Sequence, residues 1–294
     1  MPDGVGSGEP THDDKRQLPE SRLTRHEHAT TPQRRGRCGE VPSPGLGSCR
    51  SRASAHRGDQ KVAPENTVPA VRLAAAKGAH QIEFDVTISR DGELFIMHDA
   101  TVDRTTDGRG AVTDLTAEEL RGLDAGGWKG PEYAGTRIPA FREVLEAAPP
   151  PVRLNCHLRE APGVVEETVR EVMALDRVEQ CVLACSSGQA RVAQAMCPDV
   201  LICYMDGQGP PGSDYPQRAI DFGADFLQIW GWDDSMADAC ARLHTAGVRV
   251  NYFGTEDPAM MRKLTEAGVD YVLTDDLDTM LSVLAEYGVR PLGQ

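Results

Sequence analysis

Aromatic residues make up only 5% of the 294-residue sequence. No apolar run approaches the roughly 18 residues that cross a bilayer, which argues against a membrane-spanning helix. Basic charge is in the minority, 31 Lys+Arg against 45 Asp+Glu for a net charge of −14. That balance argues against nucleic acid or an anionic membrane surface as the main partner. Among the eight cysteines there is no C-x-x-C pair, so neither a zinc knuckle nor a thioredoxin-like site is expected. Cys156, Cys181, Cys185 and Cys203 fall inside apolar strand-like runs, where a free thiol behaves as a small hydrophobe. Residues 1–52 contain no aromatic side chain and only nine apolar ones, too little buried surface to offset the entropy of ordering them. This segment is expected to be disordered. It holds Arg34, Arg35 and Arg37 but no apolar core of a secretory signal, which leaves open an Arg-rich targeting segment or a start placed too far upstream. Reduced thiols and the lack of a signal point to a cytoplasmic location.

What is present, from residue 53 to 294, is an alternation of short apolar runs with longer amphipathic ones. The runs 53–56, 81–86, 152–158, 181–185, 200–204, 226–230, 248–253 and 271–274 give eight strand candidates. Between them the spacing predicts helices over 64–77, 141–148, 164–175, 189–196, 217–222, 235–246, 258–267 and 277–287. Eight βα units in about 240 residues is the arithmetic of an α/β fold of the TIM-like (β/α)8 barrel type. A doubly wound open sheet would normally use fewer strands and a Gly-rich first turn. One stretch breaks the alternation. The pair Asp91-Gly92 between two β-like runs signals a hairpin after the second strand, and a two-residue loop there would set His98 opposite Asp85. A register one residue tighter would set it near Glu83. Residues 100–139 then form a long Gly- and Thr-rich connection, of a length that on a compact barrel is usually functional.

The chemistry gathers at the ends of the first strands. His56, Arg57 and Gly58 end the first one, where a barrel opens onto its active site. Glu83 and Asp85 stand at i and i+2 on the second and leave the same face. Two carboxylates beside Ile82 and Phe84 are costly to desolvate unless a positive charge sits between them, and a hard cation, Mg²⁺ or Ca²⁺, answers that need. With His98 arriving through the hairpin, the set suits phosphoryl chemistry: a metal to polarise oxygens, an arginine fork for phosphate, imidazoles to move protons. Each of these short motifs alone is commonplace, and only the constellation carries the reading. Asp103, Arg104 and Asp107 read as a solvated loop network, Gly108 and Gly110 as loop geometry, and Trp230 and Trp232 as core or rim packing.

The spacing His56-Arg57-Gly58, Pro64-Glu65-Asn66-Thr67, Ile82-Glu83-x-Asp85, Asp91-Gly92, His98-Asp99-x-Thr101, Asp103-Arg104-Thr105-Thr106, Leu123-Asp124-Ala125-Gly126 and Ile138-Pro139 resembles the glycerophosphodiester phosphodiesterase signature. The likeness is strong from 54 to 139, thinner beyond, and does not reach 1–52. It implies a TIM-like barrel and metal-dependent hydrolysis of a glycerophosphodiester to glycerol 3-phosphate and an alcohol. It also implies His56 and His98 as an acid/base pair, Arg57 as a phosphate contact, and Glu83 and Asp85 as metal ligands. One departure matters. Where the family offers Glu-x-Lys on the next barrel strand, this chain has His157 and Arg159. Either His157 serves as a third ligand, which shifts the metal preference toward Mn²⁺, Zn²⁺ or Ni²⁺, or the metal is weakly held and completed by water; Arg159 keeps a phosphate-binding charge but fans it as a fork. Beside the glycerophosphodiester reading stand two others: a lysophospholipid or sphingolipid phosphodiesterase that forms a cyclic phosphate, and a barrel that binds a phosphorylated ligand without turnover.

Overall fold

The computed structural model describes residues 51–293. The expected disorder of residues 1–50 therefore falls outside the described residues. Ser51 and Arg52, assigned by sequence to that segment, belong to the barrel: Ser51 is buried, its hydroxyl donating to the Val269 carbonyl, and Arg52 opens the first strand.

Among the described residues nine strands form: β1 (Arg52–Ala55), β2 (Gln81–Ile88), β3 (Leu94–Ile96), β4 (Arg153–Leu158), β5 (Cys181–Cys185), β6 (Leu201–Tyr204), β7 (Phe226–Trp230), β8 (Arg249–Phe253) and β9 (Tyr271–Thr274). Eight of them, all but β3, run parallel, and pairing of β1 with both β9 and β2 closes them into a TIM barrel. The helices that link them are α1 (Val68–Ala76), α2 (Ala117–Gly122), α3 (Phe141–Ala147), α4 (Val164–Ala174), α5 (Ser187–Met196), α6 (Tyr215–Phe222), α7 (Met236–Thr245), α8 (Pro258–Ala267) and α9 (Leu277–Glu286). Alternation along the strands splits the apolar residues into two sets. Leu183, Ile202, Leu227, Val250 and Val272 belong to the large core shared with helices such as α7 and α9. Val182, Ala184, Cys203 and Phe226 form a separate small cluster inside the barrel.

The departures from the sequence reading have local causes. Helix α1 starts at Val68 rather than 64, because Asn66 sits at φ +58° and Thr67 is an extended N-cap. The long connection contains α2, whose Thr116 and Glu119 make a reciprocal capping box. Phe95, Met97, Val102, Val112, Leu120 and Ile138 give this excursion its own small core. The hairpin loop has three residues, not two: Ser89 N–H donates to the Glu93 carbonyl, and Gly92 at φ +91° supplies the left-handed turn residue that this loop requires. Val86 consequently pairs with Ile96, and Met97 rather than His98 lies beside Asp85, its N–H donating to the Asp85 carbonyl.

At the opposite end of the barrel, buried His80 ties the C-terminal tail to the sheet. Its Nδ1 accepts from Ala53 N–H at 3.2 Å, so Nε2 carries the proton and donates to the Arg290 carbonyl at 2.9 Å. Burial, aided by the charge of Arg52 and opposed by the Arg290 hydrogen bond, pushes its pKa down from 6.5 to about 4. The unfolded chain therefore takes up this proton first. The stabilisation is complete above pH 6.5 and is lost as the pH falls toward 4, by about 3 kcal/mol for this one group. Urea denaturation at several pH values should show a drop over that window that is smaller by roughly this amount in His80→Gln. An identical pH slope in the two proteins would remove His80 as its source.

Candidate active site

The register of β2 against β4 sets Glu83 beside Asn155 and Asp85 beside His157. Glu83 and Asp85 are 3% and 1% exposed, and each, together with His157, offers a ligand atom within 4.8 Å of the others. His157 Nδ1 lies 3.0 Å from Asp85 Oδ1, and Arg159 Nη1, two residues on, lies 3.7 Å from the same oxygen. Burial would push both carboxyls up. At Asp85 it is outweighed by the hydrogen bond and charge of His157, the Asn66 amide and the charge of His98, which hold that carboxyl well below the usual range. At Glu83 burial and the Asp85 charge prevail over His56, His157 and the Arg57 N–H, and its pKa is raised. Two buried carboxylates and an imidazole that converge in this way fit a divalent cation.

The turn after β1 supplies the next layer. Arg57 and Gly58 both take left-handed conformations, at φ +53° and +78°. A Cβ on Gly58 would stand 2.7 Å from Ala70 atoms, so glycine is required for this close approach to α1. The turn aims Arg57 N–H at Glu83 Oε2, 3.0 Å away, and places its Nε 3.5 Å from Asp85 Oδ2. Asn66, also left-handed, exchanges two hydrogen bonds with Asp85: its Nδ2 donates to Oδ2 at 2.9 Å and its Oδ1 accepts Asp85 N–H at 3.2 Å. The sequence reading gave Asn66 no role. Its signal was an Asn that follows a Pro-Glu pair, a residue type that tolerates this backbone region.

Like His157, the two histidines expected to form the acid/base pair, His56 and His98, have an aspartate on Nδ1. His56 Nδ1 donates to Asp275 Oδ1 at 2.6 Å, the Gln60 amide donates to the same oxygen, and His56 Nε2 lies 3.9 Å from Glu83 Oε2. Burial lowers the His56 pKa, but the Asp275 hydrogen bond and the Glu83 charge more than offset it and the net shift is upward. The His56 ring also packs edge-on against Phe253 at 5.0 Å. His98 Nδ1 donates to Asp99 Oδ1 at 2.7 Å. Arg104 is exposed, as a solvated loop network implies, but it reaches beyond the loop and pairs with buried Glu65 as well as with Asp99. Trp232 packs on the core, whereas Trp230, at the end of β7, is 61% exposed. A cleft of about 510 Å³ opens beside the carboxylates, lined by Asp99, His157, Arg159, Ser186, Gln189 and Asp206 among others.

The sequence of residues 56–204 matches the glycerophosphoryl diester phosphodiesterase family. A glycerophosphodiester phosphodiesterase of Caldanaerobacter subterraneus subsp. tengcongensis is 32% identical over 244 residues, 80% of this chain and 98% of that protein. The chain belongs to the glycerophosphoryl diester phosphodiesterase family. It is an enzyme, a phosphoric diester hydrolase. Solved structures agree. A phosphodiesterase of Oleispira antarctica in complex with the product sn-glycerol-3-phosphate superposes with a TM-score of 0.69 at 29% identity, covering 80% of this chain and 96% of that one. A glycerophosphodiester phosphodiesterase of Agrobacterium tumefaciens gives 0.69 at 27% identity, covering 78% and 98%.

The place of Asn66 in this phosphodiesterase leads to a direct test. Asn66→Gly keeps the backbone freedom but loses both hydrogen bonds to buried Asp85, for a cost of about 2–3 kcal/mol. Asn66→Ala adds left-handed strain and should cost about 1 kcal/mol more. Urea denaturation at neutral pH measures both, and an alanine variant as stable as the glycine one would show that the backbone there is not constrained.

Proposed function

We propose that this enzyme hydrolyses glycerophosphodiesters to glycerol 3-phosphate and an alcohol, with a divalent metal held by Glu83, Asp85 and His157. The observation that carries this reading is the convergence of those three donors at the barrel mouth, flanked by Arg57 and Arg159. The product bound in the Oleispira antarctica relative supports the same substrate class. A divalent cation held by Glu83, Asp85 and His157 would supply positive charge to polarise a phosphoryl oxygen and offset the charge that develops on it. An imidazole in place of a third carboxylate favours Mn²⁺ or another transition metal over Mg²⁺ or Ca²⁺. The six cysteines among the described residues are unpaired, which supports a reducing, cytoplasmic compartment. Among the described residues no helix is long and apolar enough to cross a membrane.

The side chains of the site divide the remaining work. Arg57 and Arg159 hold the phosphate. Asp275 and Asp99 accept the Nδ1 protons of His56 and His98, which turns each Nε2 toward the reacting groups. One imidazole takes a proton from the attacking water while the other, as imidazolium, gives one to the leaving alcohol. Such catalysis contributes about 10²–10⁴ in rate.

Turnover of sn-glycero-3-phosphocholine should vanish on chelation and return with metal, in a panel of Mg²⁺, Ca²⁺, Mn²⁺ and Zn²⁺. Glu83→Ala and Asp85→Ala should abolish it without loss of the folded circular dichroism spectrum. His98→Ala should lower kcat by about 10²–10⁴ with metal affinity unchanged, whereas His157→Ala should weaken metal binding first. Rescue of His98→Ala but not His157→Ala by excess metal would reverse those two roles. A cyclic phosphate released from a lysophospholipid, with no hydrolysis of the glycerophosphodiester, would favour the lipid phosphodiesterase reading.

A further inference from the structure

His98 is the one proton-transfer candidate that the barrel sheet does not itself hold. It follows β3, the last backbone hydrogen bond to β2 comes from the preceding residue, Met97, to the Asp85 carbonyl, and the His98 side chain is half-buried. Its aspartate, Asp99, is the next residue in the same excursion, so the pair would turn together unless something outside it fixed the carboxylate. Arg104 does this. Its Nε donates to Asp99 Oδ2 at 2.6 Å and its Nη2 to Asp99 Oδ1 at 3.1 Å. The same guanidinium grips a second carboxylate, with Nη1 donating to Glu65 Oε2 and Nη2 to Glu65 Oε1, both at 2.8 Å. Glu65 is 8% exposed, sits in the loop between β1 and α1, and also accepts Arg57 Nη1 at 2.7 Å. From the metal-ligand candidate outward the charges therefore alternate without a break through Asp85, Arg57, Glu65, Arg104 and Asp99, and Asp99 in turn accepts the His98 Nδ1 proton. A buried carboxylate such as Glu65 is costly unless paired on more than one side, and two guanidiniums meet that condition. The hydrogen bonds from Arg104 are the main reason the Asp99 carboxyl is held at about 2. At neutral pH it is therefore a full anion, available to accept the His98 proton.

We propose that Arg104, anchored to the barrel through Glu65, is a positioning residue that locks Asp99 and thereby fixes the His98 imidazole with its proton on Nδ1 and its Nε2 free for the reacting phosphate. The inference rests on the reading of His98 as a proton-transfer group. A second consequence is that Arg57 and His98 are set by one carboxylate-bridged frame: Glu65 determines both where phosphate is gripped and where the second imidazole stands. Lysine is a poor replacement for Arg104: a single ammonium nitrogen can touch two carboxylates but cannot reproduce the four hydrogen bonds that the planar guanidinium makes to Asp99 and Glu65.

The test uses the full-length enzyme with His98→Ala as reference. Arg104→Ala should lower kcat roughly 10–100-fold, the usual loss when the partner that orients a site group is removed, with KM changed by less than about threefold. Guanidinium ion in the assay should restore much of the kcat of Arg104→Ala and none of that of His98→Ala. Arg104→Lys keeps a positive charge beside Glu65 and so preserves the fold, and it should nevertheless show most of the kcat loss. A merely structural role would not move the tautomer. Ring ¹⁵N spectra of the chelator-treated protein, taken above the His98 pKa and assigned by His98→Gln, should show protonated Nδ1 in the wild type and a mixture of both tautomers in Arg104→Ala. The proposal is overturned if Arg104→Lys matches the wild type, if the loss in Arg104→Ala lies in KM alone, or if the ¹⁵N pattern is unchanged. Full activity in His98→Ala would instead sink the proton-transfer reading on which the proposal stands.

Discussion

Glu83 and Asp85 are like charges two residues apart on one strand, both withdrawn from water at the mouth of the barrel. Isolated, either would cost several kcal/mol to bury as an anion, and each raises the other's cost. Much of the surrounding structure compensates for this pair. His157 arrives on the neighbouring strand in register with Asp85, Arg159 follows it, and the strained turn after β1 delivers a backbone N–H to Glu83 and a guanidinium to Asp85. Asn66 accepts a left-handed backbone to satisfy Asp85 from a third direction. The site is thus a concentration of negative charge partly neutralised by protein groups and completed, on the reading proposed here, by a metal and a phosphate.

The barrel frame makes this arrangement possible. Parallel strands place the ends of β1, β2, β4 and β9 side by side, so His56, Asp85, His157 and Asp275 meet although as many as 219 residues separate His56 from Asp275 in sequence. The hairpin is the exception. Strand β3 pairs antiparallel with β2 and the excursion has its own small core, but the side chains beyond Met97 are no longer set by the barrel sheet. That explains why a loop arginine links an anchor on the barrel side to an aspartate of the excursion.

The strands were legible because buried parallel strands read as short apolar runs, and seven of the eight expected barrel strands match the observed ones to within about a residue at each end. The convergence of Glu83 and Asp85 with His157 and Arg159 was legible because alternation puts residues i and i+2 of a strand on one face, and His56 and Arg57 were legible from their place just beyond the end of β1. The hairpin register was not. An Asp-Gly pair serves two-residue and three-residue loops alike, and the choice turns on whether Ser89 or Arg90 is the last paired residue before the loop. Neither was Arg104 legible, since a charged residue in a Gly- and Thr-rich loop looks the same in sequence whether it faces water or a buried glutamate. Asp275 lay in the thin part of the resemblance, with nothing local to mark it as the partner of His56. Residues whose position depends on periodicity could be placed from sequence, and those whose position depends on a distant partner could not.

The central claim is that Glu83, Asp85 and His157 together hold a divalent cation. Electron spin-echo spectroscopy of Mn²⁺ bound to the enzyme tests it most directly, because an imidazole ligand imprints a ¹⁴N modulation on the metal signal. The modulation should be present in the wild type, persist in His98→Ala, and disappear in His157→Ala at metal concentrations that restore binding. A ¹⁴N signal unchanged by His157→Ala, or none in the wild type, would contradict the claim.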